Sequence, residues 1–315
     1  MAEVSNILLP IVAVMALGAA LRNWGFAPPQ VFRETNRLVY WVALPPFLFY
    51  KTAESQLQGE AAVRVFGVIF AGMALSIALG YVLARLLRLA PRSTSAFVQG
   101  GYRSNLAYVG LPIVLLAVAS RGGDQSAALQ ALGVVSIALM TPVYNIVAVL
   151  VLLAGREGSR AELGARLREL LFRLLTNPLI IACAAGLVVM ALGWKLPTPL
   201  RETLAIIGDM TTPLALLGIG ASLTFATLRQ YTRTAAVASV IKAVASPLLG
   251  LLVAGWLGLS QPELRMALIF LACPTAAASY VMAQQLGADD GLASNIVVLS
   301  TFFSVPALAV IIAFV

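Results

Sequence analysis

The stretch "GYRSNLAYVGLPIVLL", residues 101–116, places a guanidinium, a hydroxyl and an amide on three successive residues, Arg103, Ser104 and Asn105. Two helix breakers, Gly110 and Pro112, follow. A guanidinium next to an amide suits a carboxylate. The first supplies charge, and the second donates to an ionised acid or accepts from a protonated one. Asn105 has a plainer use as well, which is to satisfy backbone groups freed by a broken helix. Arg103 lies inside an apolar segment, so its side chain either runs back to the aqueous surface or attracts an anion where it stands. A second stretch, "CPTAAAS" (273–279), joins Pro274 to two hydroxyls, Thr275 and Ser279. Its run of small residues permits close backbone approach. Lys242 and Asp209 are further charges within apolar segments. A charge at mid-depth costs roughly 2.5–3.5 kcal/mol on insertion scales and needs a partner or a cavity. Two solutions stay open for Lys242: an ion pair with Asp209, or an ammonium that fills the place of a bound cation.

These residues must be positioned by membrane-spanning helices. Of the 315 residues 60% are hydrophobic and only 11% charged, with a mean hydropathy of +0.93. Soluble domains carry about 25% charged residues. Apolar runs long enough to cross a bilayer recur along the chain. We read ten spans at 4–21, 37–53, 63–87, 95–119, 126–154, 176–193, 203–225, 233–257, 264–286 and 291–314. The fold class is all-α and polytopic. "NILLPIVAVMALGAAL" has the look of a signal-peptide core, but Glu3 precedes it in place of a basic region and Arg22 follows, so it reads as the first span. A charged, helical link is expected over 155–175. The net charge of +8 reflects loop arginines and not nucleic-acid binding. Cys183 and Cys273 fall inside spans, which argues against a disulfide framework.

Catalytic readings fail on residue types. There are no histidines, so a metalloprotease site is excluded and no metal ligand set or cofactor is expected. Asp209 in "IIGDM" lacks the second buried acid that an aspartyl protease needs, and Ile206 stands where a Gly-x-Gly-Asp signature requires glycine.

Basic residues set the orientation. With the N-terminus outside, the inside loops hold Arg22, Arg33, Arg37, Arg85, Arg88, Arg92, Arg156, Arg160, Arg166, Arg168, Arg173, Arg229 and Arg233. The outside loops hold only Lys51, Arg64, Arg121, Lys195, Arg201 and Arg265. That imbalance favours both termini outside. An internal repeat is also visible. At an offset of 168, "RET" at 33–35 meets "RET" at 201–203, and Pro10, Gly18, Gly25 and Pro45 meet Pro178, Gly186, Gly193 and Pro213. The offset slips later, where Pro112 precedes Pro274 by 162. Repeats of five spans each, 1–154 and 176–315, enter the membrane from opposite sides, which is a frequent architecture of secondary transporters. Pro112 and Pro274 then fall in the fourth span of each repeat. Matching breaks near mid-depth point to a binding site, and a proline opening each half-helix would aim two positive helix ends at an anion.

"SNLAYVGLP", "NPLIIACAAGLVVMALGWKLP" (177–197), "TTPLALLGIGASL" (211–223) and "ACPTAAASYVMAQQLGADDGLASNIVVLSTFFSVP" (272–306) resemble the auxin efflux carrier family over nearly the whole chain. The resemblance implies a fold like that of bile acid–sodium symporters, with crossed, broken spans four and nine. Spans 1, 2, 6 and 7 would form a scaffold through which a homodimer assembles. Spans 3–5 and 8–10 would form a transport domain moving by an elevator-type mechanism. It implies that Asn105 contacts a substrate carboxylate, with Thr141, Tyr144 and Asn145 of span five lining the site. It also implies secondary transport of small organic anions, auxin-like or malonate-like, across a bacterial inner membrane. The long cytosolic loop of plant members is absent here, and so are the span-five carboxylates of related sodium–proton antiporters. Sodium or proton coupling stays open. A channel, a sensor or a carrier of zwitterionic or other solutes is the alternative.

Overall fold

The computed structural model describes residues 2–54, 59–119, 124–155, 172, 175–176, 178–222 and 232–314. Nearly all of the link expected over 155–175 lies outside them. Every regular element among the described residues is helical. In chain order these are α1 (Ala2–Asn23), α2 (Pro29–Leu38), α3 (Leu44–Ala53), α4 (Gly59–Leu86), α5 (Pro91–Tyr102), α6 (Leu111–Ala119), α7 (Asp124–Ala154) and α8 (Pro178–Ala191). They continue with α9 (Thr198–Asp209), α10 (Thr211–Ser222), α11 (Thr232–Val240), α12 (Ser246–Leu257), α13 (Gln261–Ala272), α14 (Ala278–Gln285) and α15 (Asp290–Phe314). Four stretches among the described residues are long and apolar enough to cross a bilayer alone: Gly59–Leu86, Ala128–Ala154, Arg233–Leu257 and Asp290–Phe314. Elsewhere the apolar runs are delivered in shorter pieces, as at Met210 between α9 and α10.

Three π-helical turns, Val39–Ala43, Leu106–Gly110 and Ile241–Ala245, explain how several prolines are accommodated. Each turn is followed within three residues by proline: Pro45 and Pro46, Pro112, and Pro247. A proline ring collides with the carbonyl four residues before it and supplies no N–H to the ladder. Those carbonyls belong to Trp41, Val42, Tyr108 and Ala243, all within the widened turns. The wider turn moves the carbonyl away from the ring, so the helix continues through the proline.

The described chain groups into two compact units. The first comprises Met1–Ala62, Ala107–Leu139 and Leu175–Thr224. Within it α1 packs along α10 and α3 along α8. Glycines set both approaches. A Cβ added at Gly18 would run into the Leu217 carbonyl, and one at Gly186 would come within 2.7 Å of the Phe49 carbonyl. Gly18 and Gly186 stand 168 residues apart, as do Phe49 and Leu217, so one contact occurs twice at the spacing of the sequence repeat. Arg22 donates to the Ala221 carbonyl at 2.6 Å, and Arg201 pairs with Glu54 at 2.7 Å.

The second unit comprises Val63–Leu106, Met140–Leu174 and Phe225–Val315. In it α15 packs against α11, α14 and α5, and α12 packs against α13. Gly100 gives room to Ile296, and Gly250 to Leu271. Glu263 does two jobs at the start of α13. It accepts from the Ser260 N–H at 2.8 Å in a capping box, and from Arg64 at 3.0 Å. Every residue from Ser95 to Leu106 is buried, so the span holding the Arg-Ser-Asn triplet runs through the interior of this unit.

Candidate functional site

The helical segments α5 and α13 each end in an interruption, and the two interruptions pair with each other. After α5 the backbone becomes extended at Arg103 (φ −76°, ψ 104°), and after α13 it does so at Cys273 (φ −53°, ψ 147°). The Asn105 N–H donates to the Pro274 carbonyl at 2.8 Å, and the Ala276 N–H to the Arg103 carbonyl at 3.1 Å. The two breaks therefore form an antiparallel bridge centred on Ser104 and Thr275. Broken helices free several backbone groups, and in an apolar medium each must find a partner. Here two donors and two acceptors are met across the bridge itself.

Side chains complete the satisfaction. Thr275 Oγ1 donates to the Gly100 carbonyl at 2.7 Å, while the Thr275 N–H donates to Ser300 Oγ at 3.0 Å. The Lys242 ammonium donates to the Leu271 carbonyl near the end of α13. Replacing Thr275 with valine keeps shape and N–H but leaves the buried Gly100 carbonyl short of its donor. The expected cost is about 1–3 kcal/mol, read as a lower Tm in detergent, with Thr275→Ser close to wild type. An unchanged Tm for the valine variant would mean that the hydroxyl contributes no net stability.

The polar side chains gather around this bridge. Arg103 is buried, at 6% exposure. Its guanidinium donates to Asn145 Oδ1 at 2.7 Å and meets Met282 Sδ at 2.5 Å. The reading in which Arg103 runs back to the surface is therefore corrected, because neutral acceptors within the unit hold the guanidinium in place. The Tyr144 hydroxyl donates to Ser104 Oγ at 3.3 Å, and its ring stacks on Tyr102 at 6.1 Å between centroids. Asn105, Thr275 and Ser279 are buried, and Thr141 and Asn145 are partly so.

Two expectations about the prolines are also corrected. Neither opens a half-helix at the break. Pro112 is the second residue of α6, separated from the break by the π turn that absorbs it. Pro274 lies in the break itself, where its carbonyl serves as an acceptor, and α14 begins four residues later. The half-helices resume at Leu106 and Ala278 instead. Gly110 and Pro112 group with the first unit, whereas the residues around the bridge group with the second. The ion-pair solution for Lys242 is not what its surroundings offer. Lys242 is fully buried against a backbone carbonyl, whereas Asp209 is exposed at the end of α9.

Sequence reasoning missed Gln99, Tyr102, Met282 and Ser300. Gln99 is fully buried, and both its amide atoms are without a hydrogen bond among the described residues, as are Ser279 Oγ and the Tyr102 hydroxyl. Gln99 precedes Arg103 by one helical turn, a spacing that could have drawn notice. Ser300 is one of two serines in "IVVLSTFFSVP", and nothing there singles it out.

The chain has relatives along its whole length. A family model described as "Membrane transport protein" matches residues 3–312. A protein of Rhizobium meliloti named "Putative malonate transporter" is 24% identical over 314 residues, covering 97% of this chain and 93% of that protein. An "Uncharacterized transporter" of Methanothermobacter thermautotrophicus is 23% identical over 302 residues, covering 95% of this chain and 94% of that protein.

Proposed function

This chain belongs to the membrane transport protein family, and on that premise we propose that it is a secondary carrier of small organic anions, mono- or dicarboxylates. The observation that carries the reading is the bridge between two broken spans, with Arg103 and Asn105 buried beside it. Helix starts at Leu106 and Ala278 follow the breaks, and their positive ends favour an anion. Buried hydrogen-bonding capacity at Gln99 and Ser279 gives a bound solute something to pair with. The relative whose name refers to malonate supports a dicarboxylate.

Ten spans in two inverted repeats form part of the proposal. The recurrence of one glycine–carbonyl contact at an offset of 168 supports it, and so do the two breaks. Elevator-type movement, with spans 3–5 and 8–10 as the moving domain, would turn the site from one face of the membrane to the other. A homodimer through spans 1, 2, 6 and 7, a bacterial inner membrane and external termini belong to the same reading.

The test is thermal unfolding of detergent-purified protein against a panel of small carboxylates and amino acids. Malonate at 100 times its Kd would stabilise wild type by about 2.7 kcal/mol. Asn105→Ala is expected to lose most of that response with little change in its own Tm. Stabilisation by amino acids alone would move the assignment to zwitterions, and an Asn105→Ala response equal to wild type would remove Asn105 from the site.

A further inference from the structure

The two half-helices that end at the crossover are capped by different chemistry. Gly100 and Leu271 occupy equivalent places, each four residues before its partner in the bridge, Ser104 and Thr275. The Gly100 carbonyl accepts from the Thr275 hydroxyl at 2.7 Å. By symmetry the Ser104 hydroxyl would donate to the Leu271 carbonyl. Ser104 Oγ instead accepts from Tyr144, and the Leu271 carbonyl takes the Lys242 ammonium. Residue 71, at the same offset of 171 before Lys242, is alanine, so the charge is present on one side only.

Lys242 is fully buried, and this carbonyl is its hydrogen-bond partner among the described residues. The π turn Ile241–Ala245 holds it in position. The carbonyl end of a helix carries partial negative charge, and unwound carbonyls at broken helices are the groups that coordinate sodium in transporters. A lysine is the one side chain that brings a compact monovalent cation to such a place on a tether.

We infer that Lys242 is a tethered cation, its ammonium taking the position at the end of α13 that a sodium ion would otherwise fill, so that the carrier works without sodium. The inference rests on the transport-site reading, but its test needs no substrate, so the two can fail separately. Thermal unfolding of the purified protein is followed in sodium, lithium, ethylammonium and choline chlorides at equal ionic strength. Wild type is expected to show no saturable difference between sodium and choline. Lys242→Ala opens the position and is expected to gain a saturable rise in Tm of about 5 °C with sodium or ethylammonium. Lys242→Gln keeps the length without the charge and carries the same test should the alanine variant fail to purify. Saturable sodium stabilisation of wild type would overturn the inference, whatever the variants do. So would neutral variants that purify as folded protein and respond to no small cation. Should neither variant purify, the wild-type comparison decides alone.

Discussion

Arg103→Ala is expected to abolish stabilisation by malonate, with affinity falling about 100-fold. A charge-assisted hydrogen bond contributes about 1.5–3 kcal/mol, and every 1.4 kcal/mol is a factor of about ten in affinity. The guanidinium is held at the bridge by Asn145 Oδ1 at 2.7 Å and by Met282. Its loss also leaves the Asn145 acceptor without this donor, so the apo protein should unfold earlier, by about 1–3 kcal/mol. Arg103→Lys separates the two effects. Lysine restores a positive charge but not the planar fork. We expect the lysine variant to recover part of the malonate response and little of the apo stability. Titration of malonate against both variants, with counterflow in liposomes as the functional measure, decides the matter. Wild-type affinity in Arg103→Ala would exclude the guanidinium from anion binding and leave it a structural role.

A large loss of stability is expected from valine at Gly18 or Gly186. In each case the added Cβ meets a helix carbonyl, Leu217 for the first and Phe49 for the second. Backbone cannot rotate aside as a side chain can, so the cost falls at or above the upper end of the usual overpacking range, about 3 kcal/mol. At about 2–4 °C per kcal/mol, each variant should lose roughly 6–12 °C in Tm. Because the two contacts stand at one repeat offset, the losses should be alike. Gly255 makes the comparison, since nothing lies within 4 Å of a Cβ built there. Gly255→Val should leave Tm nearly unchanged. If all three variants unfold together, close approach at the first two glycines is not what limits them.

The positions of the helices were largely legible. Apolar runs at 63–87 and 291–314 became Gly59–Leu86 and Asp290–Phe314, because length and hydropathy alone define a helix that must satisfy its backbone in lipid. The break in span four was legible too, since Arg103, Ser104 and Asn105 have no business in an uninterrupted apolar helix. Where the helix resumes was not. Pro112 looked like a first residue, and the π turn before it has no signature beyond the proline itself. The partner of Lys242 was hidden for a different reason. A sequence shows carboxylates but not which backbone carbonyl a fold leaves exposed, so Asp209 attracted attention and Leu271 did not. Met282 and Ser300 escaped because a thioether and a hydroxyl become acceptors here only through long-range packing.

The bridge at the crossover is made by main-chain groups, Asn105 N–H to Pro274 carbonyl and Ala276 N–H to Arg103 carbonyl. Such bonds are indifferent to side-chain identity, save that the two donor positions, 105 and 276, cannot be proline. The junction can thus be inherited while the residues around it change. Side chains around the bridge can be replaced without the crossing having to be built again.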